Sequence, residues 1–186
     1  DENYLKLINF LILQMLMSSY KKSFSHYKNE TNIMAYPNIF STEVTEDCIS
    51  RINKLTPDSK PLWGKMDVAR MLAHCCITYQ YVYEPEKFKK PNFVMQWVLR
   101  TFVKSSVTND VPYAKNIRTA PDFIIKDDKV FSDEKSRLIH FLHRSQQDGA
   151  SFFDGRESFS FGKLNITEWN NMFYKHLDHH LTQFGV

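Results

Sequence analysis

"NITEWNNMFYKHLDHHLTQFG", residues 165–185, is the stretch whose reading decides the fold class. Trp169, Phe173, Leu177 and Leu181 recur every four residues, a spacing that lines one face of an α-helix. Asn165 or Thr167 can cap its start, and Gly185 supplies a stop. The same period returns upstream. Residues 41–55, "STEVTEDCISRINKL", carry Val44, Cys48, Ile49, Ile52 and Leu55 at helical spacing, with Ser41 or Thr45 as cap. Residues 65–83, "KMDVARMLAHCCITYQYVY", predict a long apolar helix that Pro85 ends. Residues 132–149, "SDEKSRLIHFLHRSQQDG", open on Ser132 as a cap with acids in the first turn, and stop at Gly149.

These four helices predict an all-α fold, a bundle around one core. "NFVMQWVLRTFVKSS", residues 92–106, predicts an additional helix between the second and third bundle helices. An irregular insertion over 107–131, punctuated by Pro112 and Pro121, follows it. The chain of 186 residues, with 42% hydrophobic content, is long enough for one sizeable core. Only five glycines and seven prolines stand against fifteen Phe and nine Tyr, which argues against a turn-rich β fold.

Charge and cysteine usage narrow the function classes. With 24 basic and 21 acidic residues the balance is nearly even, and no basic run suits a phosphate backbone, so nucleic acid is not expected as a partner. Cys48, Cys75 and Cys76 are odd in number, and two are adjacent, which suits a reduced, cytoplasmic protein better than a disulfide framework. Residues 1–33 read as a leader of different texture. "YLKLINFLILQMLM", residues 4–17, is too short to span a bilayer, and it lacks a basic start and a cleavage site. One reading starts the native chain at Met34; the other makes the leader an interfacial or partner-binding helix. Residues 34–186 form the domain, and no membrane partner is expected for it.

The last helix also holds His176, His179 and His180. At about 100° per residue, His176 and His180 fall within about 40° of each other one turn apart, while His179 points elsewhere. Two imidazoles on one turn need at least a third ligand for zinc. His74, inside the long apolar helix, is the best-placed candidate, because an unpaired ring there costs free energy. The alternative stays open: the pair as a solvated helix face and His74 as a hydrogen-bonded core residue. His140 and His143 read as surface or helix-end groups, with His143 near a helix C-terminus. Cys75 and Cys76 read as packing.

Three stretches then bring a family into view: "RINKLTPDSKPLW", "LWGKMDVARMLAH" and "FGKLNITEWNNMFYKHLDHHLTQFGV". Together they resemble the DinB-like superfamily, in a branch of uncharacterised proteins, over nearly all of 34–186. The second-helix histidine matches His74, and the pattern His-x-x-His-His-x-x-Gln matches His176, His179, His180 and Gln183. The resemblance implies a DinB-like four-helix bundle with a three-histidine metal centre of His74, His176 and His180. Its relatives include thiol-dependent transferases and isomerases. The chain departs from the pattern at Phe159, where related chains often carry a histidine.

The function expected is therefore a metal-dependent transferase that activates a low-molecular-weight thiol. The alternatives are a hydrolase acting through metal-activated water and a non-enzymatic ligand-binding bundle. Zinc is the first expected metal, with nickel, iron or manganese also suited to imidazole. Gln183 returns to the face of His176, where its amide can orient a ligand or a group behind one, with a surface role as the alternative. Arg70, one turn before His74, is placed to meet a carboxylate of the thiol, and a solvated arginine is the other reading. No side chain stands out as a nucleophile or general base. A small-molecule substrate or thiol is the partner expected, and a homodimer is compatible with this reading.

Overall fold

The computed structural model describes residues 35–117 and 119–186. The expectations for 1–33, leader and alternative start alike, lie outside the described residues. The fold is mostly helical, with one very small sheet. The elements are α1 (Thr42–Asn53), α2 (Val68–Tyr83), α3 (Phe93–Val98), α4 (Lys104–Thr108), α5 (Phe131–Phe153), β1 (Glu157–Ser158), β2 (Gly162–Lys163) and α6 (Ile166–Gln183). No described helix is long and apolar enough to cross a membrane.

Capping explains where the helices begin. Ser41 Oγ accepts from the Val44 amide at 3.3 Å and Asp67 Oδ1 from the Arg70 amide at 2.8 Å, each satisfying an orphan donor of the first turn. At α6 the cap is reciprocal: Asn165 Oδ1 accepts from the Glu168 amide at 2.9 Å, and Glu168 Oε2 accepts from the Asn165 amide at 3.0 Å. Gly185, at φ 76°, ends that helix in the left-handed conformation a side chain disfavours.

α2 is the central helix. It is buried without a break from Met71 to Gln80, the pattern of a helix covered on all sides. α1, α5 and α6 bury one stripe each, and their apolar residues share one core with α2. Tyr79 of α2 stacks on Phe173 of α6 at 4.7 Å, and Phe153 of α5 meets Trp169 at 5.4 Å, an arrangement that favours edge and offset contacts between rings. Cys48, Cys75 and Cys76 are free and buried in this core, as small apolar residues.

Two expectations are corrected, and a third holds with a difference. Ser132 is not the cap of α5: the helix begins at Phe131, Val130 is its cap, and no side chain bonds there. Gly149 does interrupt it as expected: at φ 72°, ψ 172° it breaks the helix, and a short further helical segment runs on to Phe153, which is buried in the core. His143 sits more than one turn before that break, 3.8 Å from Glu46, and not in a last turn.

The expected additional helix is present but irregular. α3 passes through a π-helical turn, Leu99–Val103, into α4, and no residue from 93 to 103 is buried. π turns interrupt the regular ladder and recur at functional sites. The hairpin β1–β2 was not foreseen from the sequence. It pairs only Glu157 with Lys163 and Ser158 with Gly162, too short a run for alternation to register.

What moors α4 is a buried lysine. Lys175 of α6 is 2% exposed, and its Nζ lies 2.9–3.2 Å from the carbonyls of Ser106, Asn109 and Val111 and from Asn109 Oδ1, four acceptors that share its three hydrogens. The ammonium thus satisfies carbonyls at and beyond the end of α4, where helices leave them orphaned.

Candidate metal centre

α2 and α6 lie side by side, and their facing surfaces bring His74, His176 and His180 together. One ring nitrogen of each lies within 4.8 Å of the others. Ring centroids are 4.8 Å apart for His74–His176, 4.5 Å for His74–His180 and 4.9 Å for His176–His180. His74 and His180 are buried.

Each ring is held from behind by its Nδ1. His74 Nδ1 lies 2.9 Å from the Phe123 carbonyl, His176 Nδ1 3.0 Å from Thr78 Oγ1, and His180 Nδ1 2.9 Å from Gln183 Oε1. These partners fix the tautomers. A carbonyl only accepts, so His74 carries its hydrogen on Nδ1 and leaves Nε2 as a bare lone pair. Gln183 Nε2 donates to the Trp63 carbonyl at 2.7 Å, which turns Oε1 toward His180 and places the hydrogen on that Nδ1 as well. Thr78 can donate or accept, so His176 can present either form. Its Nε2 stands 2.9 Å from His74 Nε2.

Electrostatics act in the same direction. Burial, first of all, holds the pKa of His74 below its ordinary value and that of His176 well below. Burial, then the proximity of His74, pushes His180 down to about 3. Three neutral rings with their Nδ1 atoms engaged form the donor set that borderline divalent ions take, with outer partners of the kind that orient metal-binding histidines. The residues present therefore fit a divalent metal.

Depressed histidine pKa values have a stability consequence. In the unfolded chain these rings take protons near 6.5, while in the fold they resist down to about 3 for His180. The unfolded state binds more protons across that window, so metal-free protein is expected to lose stability as pH falls through it. Denaturant unfolding at a series of pH values checks this: the slope below pH 6.5 should be shallower in His180→Ala.

The other sequence-predicted residues divide. Gln183 is where it was expected, against His180. Arg70 is elsewhere: its guanidinium binds Asp67 Oδ2 at 2.5 Å, Asp128 Oδ1 at 2.6 Å and the Asp127 carbonyl at 3.3 Å, and it does not line the cavity that opens on the triad. His179 stands beside the triad, edge-on to Trp63 at 5.8 Å and to Tyr113 at 5.7 Å. Thr78 and the carbonyls of Phe123 and Trp63 were missed. Thr78 follows His74 by one turn and had a spacing signal; backbone carbonyls carry none.

Gly64 adds a test of the Gln183 contact. At φ 83° it brings the backbone so close that a Cβ would lie 2.7 Å from Gln183 Nε2. Gly64→Ala is expected to dislodge Gln183 from His180 and weaken metal binding by about 10–100-fold, the usual effect of losing an outer partner, as competitive chelator titration would read.

The triad opens into a cavity of about 1030 Å³, walled by α2, the α3–α4 run, the insertion, the hairpin turn and α6. Phe159 belongs to that wall, stacked on Tyr81 at 4.5 Å. No curated protein matches the chain, and no solved structure does. One family model, described as a protein of unknown function (DUF1569), matches residues 39–185, from the approach to α1 through the whole triad, and the chain belongs to that family.

Proposed function

We propose that the chain is a metalloprotein in which His74, His176 and His180 hold a divalent ion, zinc foremost, and that it serves as a transferase activating a low-molecular-weight thiol. The observation that carries the metal reading is that one ring nitrogen of each histidine lies within 4.8 Å of the others while every Nδ1 is engaged from behind, which leaves the Nε2 atoms to serve as ligands. An ion held by three neutral imidazoles keeps its charge and open coordination positions, which lowers the pKa of a thiol or water binding there.

The thiol reading draws support from the sequence resemblance to the DinB-like superfamily and from the chain's own cysteines. All three are buried, and burial pushes Cys48 and Cys76 up to about 12. They are poor nucleophiles, so an attacking sulfur comes from outside. Gln183 and Thr78 orient the ligating rings, and the cavity supplies space for the electrophile. Free, unpaired cysteines also support a reducing, cytoplasmic setting.

A hydrolase is the second reading. It is favoured by His179, which lines the same cavity and whose pKa burial lowers, so that its neutral ring can accept a proton from water.

Dialysed protein, reconstituted with zinc and offered a panel of small thiols and electrophiles, separates the readings. Conjugates that appear by mass spectrometry only with metal are the result expected. Ester or amide cleavage without thiol points to the hydrolase, and absence of both thiol binding and conjugation contradicts the transferase.

A further inference from the structure

The cavity is far larger than a metal and a water require, and its lining is uneven. About 1030 Å³ is at the upper end of small-molecule sites. The α3–α4 run turns Met95, Leu99, Phe102 and Val103 to this space without burying them, so their apolar surface awaits a partner.

A lane of aromatic rings leads away from the triad. Phe123 meets His74 at 5.4 Å, Tyr81 meets Phe123 at 5.4 Å, and Phe159 stacks on Tyr81 at 4.5 Å, all three in the cavity wall, while Phe88 packs edge-on to Tyr81 at 4.7 Å behind it. Lys89 and Lys90 follow directly in the chain, exposed, and both line the cavity. Lys65 lines it too, against a single carboxylate, Asp122, to which Tyr81 already donates. The lining is therefore net positive.

Donors without acceptors point the same way. Trp63 and Trp169 both line the cavity, and their indole N–H groups are buried with no partner among the described residues. Buried donors ordinarily find an acceptor.

We infer that the cavity takes a small organic anion with an apolar, ring-sized body, which lies along the Phe123–Tyr81–Phe159 lane and sets its acidic group at Lys89 and Lys90. This names the substrate class of the site proposed above and rests on that reading only in treating the cavity as the substrate's space.

Anilinonaphthalene sulfonate and the uncharged phenylnaphthylamine share their rings and differ in the anion, so their fluorescence titrations separate the apolar and ionic contributions. Four forms serve: wild type, Lys89→Met/Lys90→Met, Leu99→Trp to obstruct the cavity, and Phe93→Ser/Trp97→Ser to remove the apolar patch outside it. Both lysines are exposed, so the double variant leaves the core intact.

The sulfonate is expected to bind one site, about tenfold more weakly in the lysine variant, as the loss of two partly screened ion contacts implies. Leu99→Trp should block it, Phe93→Ser/Trp97→Ser should not, and the neutral probe should ignore the lysines. Binding retained in chelator-treated protein upholds the inference even if the metal reading fails. Equal binding of the two probes, loss only in Phe93→Ser/Trp97→Ser, or sulfonate binding that needs metal and ignores the lysines would each overturn it.

Discussion

His176→Ala protein is expected to bind zinc more than 100-fold more weakly than wild type while unfolding at nearly the same denaturant concentration. Removing an outer hydrogen-bond partner of a metal-bound histidine costs about 10–100-fold in affinity, and removing the ligand itself costs more. His176 is the right position for this test because its Nε2 stands 2.9 Å from that of His74 and its Nδ1 contact is with a hydroxyl, which water can replace. Isothermal titration of metal-free protein gives the affinity, and urea unfolding gives the stability. A large affinity loss with an unchanged unfolding midpoint marks a ligand; equal losses in both would mark a packing residue.

The largest stability effect is expected at Lys175, one residue away and on a different face. Lys175→Met keeps the aliphatic stem and removes the ammonium, so the carbonyls of Ser106, Asn109 and Val111 lose their donor. Stranding buried acceptors costs about 1–3 kcal/mol. The damage should concentrate in α4 and the segment after it, read as faster proteolysis there, since these are what the ammonium ties to α6. A pH signature accompanies it. Burial lowers the Lys175 pKa from 10.5 to about 8 in the fold, so between those values the unfolded state binds more protons and wild-type stability rises with pH. Met lacks that titration, and the gap between the two proteins should widen from pH 8 to 10.5.

Much of this architecture was legible in the residues because helical periodicity survives in long, half-buried segments. Trp169, Phe173, Leu177 and Leu181 announced α6, and Asn165 announced its cap. α2 was readable as a long apolar helix, and its burial throughout explains why a histidine inside it had to be ligated or bonded. Ser132 failed as a cap because Ser, like Asp and Asn, serves turns and helix starts alike, and only the position of Val130 decides between them. Gly149 read as an end because glycine at positive φ ordinarily is one, and it does break the helix; periodicity did not register the short further segment that carries Phe153 into the core.

The site was legible as far as side chains carry it. His176 and His180 follow from one helical turn, and His74 from its burial, but the three sit together only because α2 and α6 pack side by side, which spacing does not encode. The Phe123 and Trp63 carbonyls lie on irregular segments, where any residue could present the same oxygen. Arg70 illustrates the converse: its distance from His74 along α2 was right for the site, yet Asp67 and Asp128 draw the guanidinium away from the cavity.

Metal stoichiometry of protein purified without a histidine tag is the measurement that bears most directly on the triad. Dialysed wild type, reconstituted with zinc and freed of excess, should retain one ion per chain, and His74→Ala and His180→Ala should retain almost none. An ion content that is the same in all three proteins, or absent from wild type, would contradict a metal centre built by His74, His176 and His180.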